Sequence, residues 1–153
     1  MKELLEYRAH LIDRLATATE EFCSACLAAS DAYEPLAEGE WNLHRVAVHV
    51  RDVDKLVYSY RARRTANESN PEFQTFDGDV YMAEHYSAGE PLRDVLAELR
   101  SNVYDLAAWL RSLPIEAWSR ISRHVTLGDG FTLQSWVERD LAHIEEHLEA
   151  IKR

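Results

Sequence analysis

Two histidines near the end of the chain have the spacing of metal ligands on a helix. His143 and His147 lie in the stretch Leu133–Lys152, whose apolar residues recur at helical intervals. Residues four apart on a helix lie on the same face, one turn above the other. Both imidazoles can therefore bind a single metal ion if a third ligand comes from another element. We predict that His49 is this third ligand.

His49 occupies a position on its helix where an apolar residue is expected. The apolar stripe of this helix consists of Val46, His49, Val53, Leu56 and Tyr60. Burying an imidazole costs free energy unless both ring nitrogens find partners. From spacing alone, a hydrogen-bonded core histidine and a metal ligand both stay open, and His143 and His147 are also compatible with a solvated face. His44, off the stripe and near the helix start, is expected at the surface.

Four amphipathic helices with heptad-like apolar stripes are predicted, as is typical of a bundle. They span residues 3–29, 42–64, 90–113 and 133–152. Asn42 and Thr132 are suitable N-cap residues for the second and fourth helices. The stripe of the first helix contains Leu5, Ala9, Ile12, Ala16, Thr19, Cys23 and Cys26. The connection of residues 65–89 is expected to add one or two helical turns at 79–86, and residues 121–130 are compatible with a small hairpin.

The predicted fold class is all-α, a four-helix bundle in a single domain of residues 1–153. The long crossover between the second and third helices favours an up-down-down-up order. At about 1.5 Å per residue, His49 lies roughly 10 Å inside the start of its helix, and His147 roughly 8 Å from the end of its own. In this order the two helices are antiparallel, so the three histidines share one layer. In a plain up-and-down bundle their levels would differ by roughly 10 Å.

The composition argues against nucleic-acid binding and membrane insertion. The 153 residues carry a formal net charge of -10, which is unfavourable for binding phosphate backbones, and Arg61, Arg63 and Arg64 are expected at a solvated helix end. No apolar run reaches the length of a membrane span, and the N-terminus lacks a signal-peptide core, so a cytoplasmic protein is expected. Cys23 and Cys26 lie within a helical pattern, which favours free packed cysteines over a redox or zinc motif.

Two carboxylates lie one helical turn from the histidines. Asp52 follows His49, and Asp140 precedes His143. Each is a candidate to orient an imidazole, to add a metal ligand or to accept a proton during catalysis. Exposed helix charges are the alternative interpretation. His85, in the long connection, is a candidate to cover the site.

The order of these motifs resembles the DinB/YfiT-like superfamily of metalloenzymes. The resemblance rests on Trp41 followed by His49 in WNLHRVAVHVRDVD, on the GFTL lead-in to the last helix, and on the late AHIEEH. The helix lengths and the long middle connection also fit, so it extends over nearly the whole chain. It implies a four-helix bundle, often dimeric, that holds a divalent metal through His49, His143 and His147.

Three neutral imidazoles suit zinc, nickel or another late first-row ion, and three protein ligands leave a coordination position open, as in catalytic zinc sites. Relatives include enzymes that use low-molecular-weight thiols. The resemblance therefore implies a homodimeric metal-dependent enzyme that acts on a small molecule, such as a thiol-dependent transferase. A hydrolase that uses metal-bound water fits the open coordination position equally well, and helical spacing makes Asp52 and Asp140 the catalytic candidates. A metal-binding or stress-response protein without turnover is the alternative, and a bundle that serves only for interactions is a third.

Overall fold

The computed structural model describes residues 1–152. Its helices are α1 (Lys2–Leu27), α2 (Leu43–Val53), α3 (Ser59–Asn67), α4 (Gly78–His85), α5 (Leu92–Ser112) and α6 (Leu133–Lys152). A π-helical segment, Asp54–Tyr58, joins α2 to α3, so residues 43–67 form one continuous helical run. The remaining elements are the strands β1 (Glu72–Phe73), β2 (Ile121–His124) and β3 (Gly128–Thr132), and a 3-10 helix at Ile115–Ser119.

Four long helical runs enclose the hydrophobic core. Both α1 and residues 43–67 pack against α5 and α6, so each run contacts two neighbours. The mainly helical fold class and the four predicted helices are confirmed. Within the part of the chain that the structure describes, no helix is both long and apolar enough to cross a membrane.

A three-stranded sheet supplements the helices and corrects the all-α prediction. β2 pairs with β1 in parallel and with β3 antiparallel, in the order β1-β2-β3. The indole N–H of Trp136 on α6 donates a 2.8 Å hydrogen bond to the Ser122 hydroxyl on β2, which attaches the sheet to the bundle. The hairpin expected near residues 121–130 is thus present, and β1 and α4 occupy much of the connection of residues 65–89.

The predicted N-cap residues and the predicted free, packed cysteines are confirmed. Asn42 accepts a 2.8 Å hydrogen bond from the backbone N–H three residues later, and Thr132 accepts one of 3.1 Å in the same way. Cys23 and Cys26 are buried and free. Burial raises the pKa of Cys23 to about 11 and that of Cys26 to about 12, so both stay as unreactive thiols near neutral pH.

The π-helical segment displaces the apolar stripe of residues 43–67 by one residue. Leu56 and Tyr60 were expected in the core, but their side chains are 36% and 48% exposed. Their neighbours Val57 and Arg61 are buried instead. A π-helical turn inserts one extra residue into an α-helix, so every later position rotates relative to the core. The predicted stripe is therefore correct through Val53 and wrong beyond it.

The first helix buries a broader face than the predicted stripe, of which Ile12, Thr19, Cys23 and Cys26 are buried as expected. Leu5 is 40% exposed and Ala9 is exposed, and both line a groove beside the end of α5. The core also receives Leu11, Leu15, Ala18 and Phe22, which were not part of the predicted stripe. Because α1 packs on two helices, its buried face is broader than a single heptad stripe.

His44 is a buried histidine, which corrects its predicted surface position. It has no exposed surface. Its Nε2 lies 2.6 Å from the Glu90 carbonyl oxygen, and its Nδ1 lies 2.7 Å from the Tyr86 hydroxyl. A carbonyl only accepts, so Nε2 donates to it and Nδ1 accepts from the hydroxyl. The chain after α4 covers the start of α2, and sequence spacing gave no sign of that cover.

Two carboxyl groups, Asp54 and Asp140, face each other in the core. Both residues are almost fully buried, and no hydrogen-bond donor of another residue reaches their oxygens. Burial raises the pKa of Asp54 to about 6, although contact with the Asp140 carboxyl group and the charge of Arg63 oppose the increase. Burial, followed by repulsion from Asp54, raises the pKa of Asp140 well above its usual value. Two ionised carboxylates cannot both remain there, so the pair holds a shared proton.

This pair predicts a pH-dependent stability. Folded Asp54 binds its proton more tightly than unfolded Asp54 does, so its contribution to stability is complete below pH about 4 and is lost as the pH rises through about 6. We expect Asp54→Asn, whose amide can donate to Asp140, to increase the free energy of unfolding at pH 8 by about 2 kcal/mol. Urea denaturation of both proteins between pH 5 and 8 measures the effect.

The matched control is Asp105→Asn, at an exposed position on α5, which should shift stability by less than about 0.5 kcal/mol. Equal pH dependence in wild type and Asp54→Asn would contradict the raised pKa of Asp54.

Candidate metal centre

Three histidines from two helices meet at one point. His49 extends from α2, and His143 and His147 extend from successive turns of α6. The Nε2 atom of His143 lies 3.1 Å from Nε2 of His49 and 3.1 Å from Nε2 of His147. Among residues 1–152 this is the one group of three or more potential ligand atoms that all lie within 4.8 Å of one another. The structure thus brings together the three residues selected from the sequence.

Hydrogen bonds alone do not explain this contact. A ring nitrogen carries either one lone pair or one N–H, so Nε2 of His143 can satisfy only one of its two neighbours. Nδ1 of His143 is also buried without a partner. Three lone pairs directed at one point are suited to a cation. Nitrogens bound tetrahedrally at about 2.05 Å from a zinc ion would lie about 3.3 Å apart, close to the observed contacts.

The environment keeps these imidazoles neutral. Burial, together with the neighbouring His147, lowers the pKa of His49 to about 4, although Asp79 opposes the change. Burial and the other two histidines lower the pKa of His143 to about 3, and burial also lowers the pKa of His147. Neutral imidazoles offer the lone pairs that metal binding requires.

Surrounding residues limit the movement of the cluster. The Trp41 ring meets His49 edge-on, with centroids 5.3 Å apart, and Tyr58 packs against His143 at 5.9 Å. Gly78, the first residue of α4, approaches so closely that a β-carbon there would lie 3.0 Å from Cε1 of His49. The connection of residues 65–89 therefore folds directly over one of the three histidines.

A cavity of about 300 Å³ lies beside the cluster. Its lining includes His49, His143 and the apolar side chains of Val53 and Val57. Tyr58, Arg61, Arg139 and His124 supply polar groups to the same cavity. Its volume suits a small molecule, and such a molecule would reach the imidazoles directly.

The carboxylates chosen from the sequence have other neighbours. Asp52 accepts a 3.0 Å hydrogen bond from Nε of Arg51, and burial raises its pKa despite that contact. Asp140 faces Asp54 in the core. Within residues 1–152, neither Asp52 nor Asp140 forms a hydrogen bond with an imidazole of the cluster, so their predicted catalytic and orienting roles stay predictions. His85 is exposed, stacks on Tyr81 at 4.1 Å and lies outside the cluster.

Sequence reasoning missed the polar residues of the cavity. Arg61 was expected at a solvated helix end, yet only 7% of it is exposed, because the π-helical segment turns it inward. Arg139 precedes Asp140 on α6, and its position gave no separate signal. His124 lies in β2, and only the pairing of the sheet brings it near α6.

Comparisons with known proteins agree with the resemblance seen in the sequence. The chain matches the family model of the DinB superfamily over residues 11–151. Its fold is similar to the structure of YfiT from Bacillus subtilis, with a TM-score of 0.86 and 20% sequence identity over 96% of this chain and 85% of that chain. YfiT is described as a probable metal-dependent hydrolase with an unusual four-helix bundle topology. At this identity the structural similarity establishes the fold alone.

No curated protein matched the sequence. The family match, however, covers nearly the whole length of the chain, and it includes all three histidines of the cluster. The chain belongs to the DinB superfamily.

Proposed function

We propose that this protein is a metal-dependent enzyme that binds one divalent transition-metal ion, zinc or nickel, through His49, His143 and His147. The observation that carries the proposal is the convergence of three Nε2 atoms that hydrogen bonds cannot satisfy together. All-imidazole ligation favours late first-row ions over magnesium or calcium, which prefer oxygen ligands.

A catalytic role is favoured over a structural one by the number of ligands and by the cavity. Structural zinc sites are usually closed by four protein ligands, whereas catalytic sites keep a position open. Three histidines beside a cavity of about 300 Å³ fit the second pattern. A bound ion supplies Lewis acidity, which acidifies water, polarises a substrate carbonyl or attracts a substrate thiol.

Two similarities to other proteins support a reaction class, one to YfiT and one to thiol-using relatives. The description of YfiT as a probable metal-dependent hydrolase supports hydrolysis of a small molecule. The family resemblance supports transfer to or from a low-molecular-weight thiol. In either case Tyr58 can donate a hydrogen bond from the cavity wall, because burial, its largest influence, raises the pKa of its hydroxyl group. Metal binding without turnover is the alternative function.

The proposal also includes the domain organisation, the helix order, the cellular location and the oligomeric state of the protein. We place residues 1–153 in one domain with up-down-down-up helix order. The contact between His49, near the start of residues 43–67, and His147, near the end of the neighbouring α6, supports this order. A cytoplasmic homodimer is proposed from the sequence and the family resemblance, and light scattering in solution would measure its oligomeric state.

Metal binding is tested first by thermal shift of tag-free, metal-stripped protein with zinc, nickel and manganese. We expect zinc or nickel to raise the melting temperature more than manganese does, because ligand binding to the folded state stabilises it. If no ion raises the melting temperature, the metal-dependent functions are contradicted, and a bundle that serves only for interactions is the remaining hypothesis. Screening the metal-loaded protein against activated esters and thiol conjugates then separates an enzyme from a protein that only binds metal.

We predict that His143→Ala lowers the affinity for zinc or nickel by more than about 100-fold, because two imidazoles remain. Isothermal titration calorimetry measures the change. His85→Ala, an exposed histidine outside the cluster, is the control and should bind metal as the wild type does. Unchanged affinity in His143→Ala would place the metal site elsewhere.

A second prediction concerns Gly78, which packs against His49. In Gly78→Ala the new β-carbon would lie 3.0 Å from Cε1 of His49, so the imidazole must move. We expect metal affinity to fall by about tenfold, the lower range for disturbed supporting residues. Gly89→Ala is the control, because the nearest atom to its β-carbon, Oγ of Ser87, is 3.8 Å away. Equal affinities in the two variants would show that the contact is unimportant.

A further inference from the structure

We propose that the cavity beside the three histidines binds an anionic group of the substrate, a carboxylate or a phosphate, through Arg61 and Arg139. The proposal rests on the proposed function and deepens it by naming a substrate class. Both arginines line the same cavity as His49 and His143. A small molecule held by its anionic end at the arginines could therefore present its reacting end to the imidazoles.

The first support is that neither Arg61 nor Arg139 has a carboxylate partner among the described residues, although the protein is acidic. The chain has 27 Asp and Glu residues against 17 Lys and Arg residues. Seven other arginines form ion pairs with carboxylates: Arg14, Arg51, Arg64, Arg93, Arg100, Arg111 and Arg123. In the described part of the chain, neither Arg61 nor Arg139 forms one. Arg8, Arg45, Arg63 and Arg120 also lack one, but they do not line the cavity. Two cations without counterions in one cavity are suited to an anion from outside.

Aromatic rings hold both guanidinium groups in place. The Arg61 guanidinium carbon lies 4.8 Å from the ring centroid of Trp136 and 5.8 Å from that of Phe73. That of Arg139 lies 5.1 Å from the Phe131 centroid and 5.9 Å from the same Trp136 ring. Stacking uses the face of a guanidinium and leaves its N–H groups at the edge available. Arg61, which is buried and also donates to a carbonyl, is thus positioned before any ligand arrives, and ring contacts restrict the exposed Arg139.

Most of the donors remain available for a ligand. Arg61 donates one protein hydrogen bond, 3.0 Å from Nη2 to the Gln74 carbonyl oxygen, and Arg139 donates none within residues 1–152. Each guanidinium has five N–H groups. Carboxylate and phosphate oxygens match this arrangement and can accept two parallel hydrogen bonds.

The electrostatics of the cavity agree with this arrangement. Burial chiefly, together with Arg139, lowers the pKa of Arg61. Burial and then both arginines lower the pKa of His124 on the same wall. The carboxyl groups of Asp140 and Glu146 lie close enough to raise the pKa of Tyr58. Among the described residues, neither of them forms an ion pair with Arg61 or Arg139. The cavity wall is therefore a local positive region, and an anion would relieve the repulsion between its cations.

The test uses metal-stripped, tag-free protein, so that an anion cannot bind through a metal ion. Inorganic phosphate and benzoate are titrated separately, and binding is followed by nuclear magnetic resonance shifts of the cavity residues. Arg139→Gln is the decisive variant because this side chain is exposed and its loss should not affect folding. We expect it to weaken binding of the preferred anion by about tenfold, the loss typical of one charged hydrogen bond.

Two controls complete the experiment. Arg139→Lys keeps the charge and should bind more tightly than Arg139→Gln, whereas Arg93→Gln, on an exposed arginine outside the cavity, should bind as the wild type does. The preferred probe distinguishes a phosphate-bearing from a carboxylate-bearing substrate. Failure of both anions to bind wild-type protein, or equal binding by Arg139→Gln, would overturn the proposal.

Metal titration of the same variants separates this inference from the function on which it rests. Arg139→Gln should bind zinc or nickel with wild-type affinity. Anion binding without metal binding would contradict the metal site alone, and metal binding without anion binding would contradict the anion site alone.

Discussion

The arrangement of the site depends on three ring nitrogens that approach one another without enough protons or acceptors to satisfy them. Such a contact is unfavourable by itself, because each neutral imidazole directs a lone pair at the same point. The fold maintains it through Trp41, Tyr58 and Gly78, which pack around the rings. A cation removes the conflict, and the side chains that hold the rings in position would then supply a preorganised site.

The π-helical segment of residues 54–58 connects this cluster with the rest of the cavity. By rotating the following residues, it brings Arg61 inward and moves Leu56 and Tyr60 toward solvent. It also begins with Asp54, which shares the core with Asp140 on α6. π-helical turns are rare and often occur at functional sites. In this protein the turn lies just beyond the histidine of α2 and reshapes the wall of the adjacent cavity.

The comparison of the two histidines of α2, His44 and His49, shows what sequence periodicity can predict. His49 lay on the apolar stripe and was identified, because the regular α-helix holds through Val53. His44 lay off the stripe and was assigned to the surface, although the chain after α4 covers it and satisfies both ring nitrogens. Local properties can be predicted from the sequence. They include the helix boundaries, the N-caps and the spacing of His143 and His147.

What the sequence did not reveal depends on tertiary contacts. The inserted residue of the π-helical turn has no simple sequence signature, so the burial of Arg61 was not predicted. The sheet pairs β1 with β2 across about 50 residues of chain, and that pairing brings His124 to the cavity. The partners of Asp52 and Asp140 likewise come from packing, which explains why candidate roles based on helical spacing found no supporting contact.

The central claim is that one cation binds at the meeting point of His49, His143 and His147. Anomalous diffraction from crystals of tag-free protein loaded with nickel, recorded at the nickel absorption edge, tests it most directly. The account predicts a single strong peak about 2.1 Å from the Nε2 atoms of all three histidines. A peak at another position, or no peak despite bound nickel in the same crystals by elemental analysis, would contradict it.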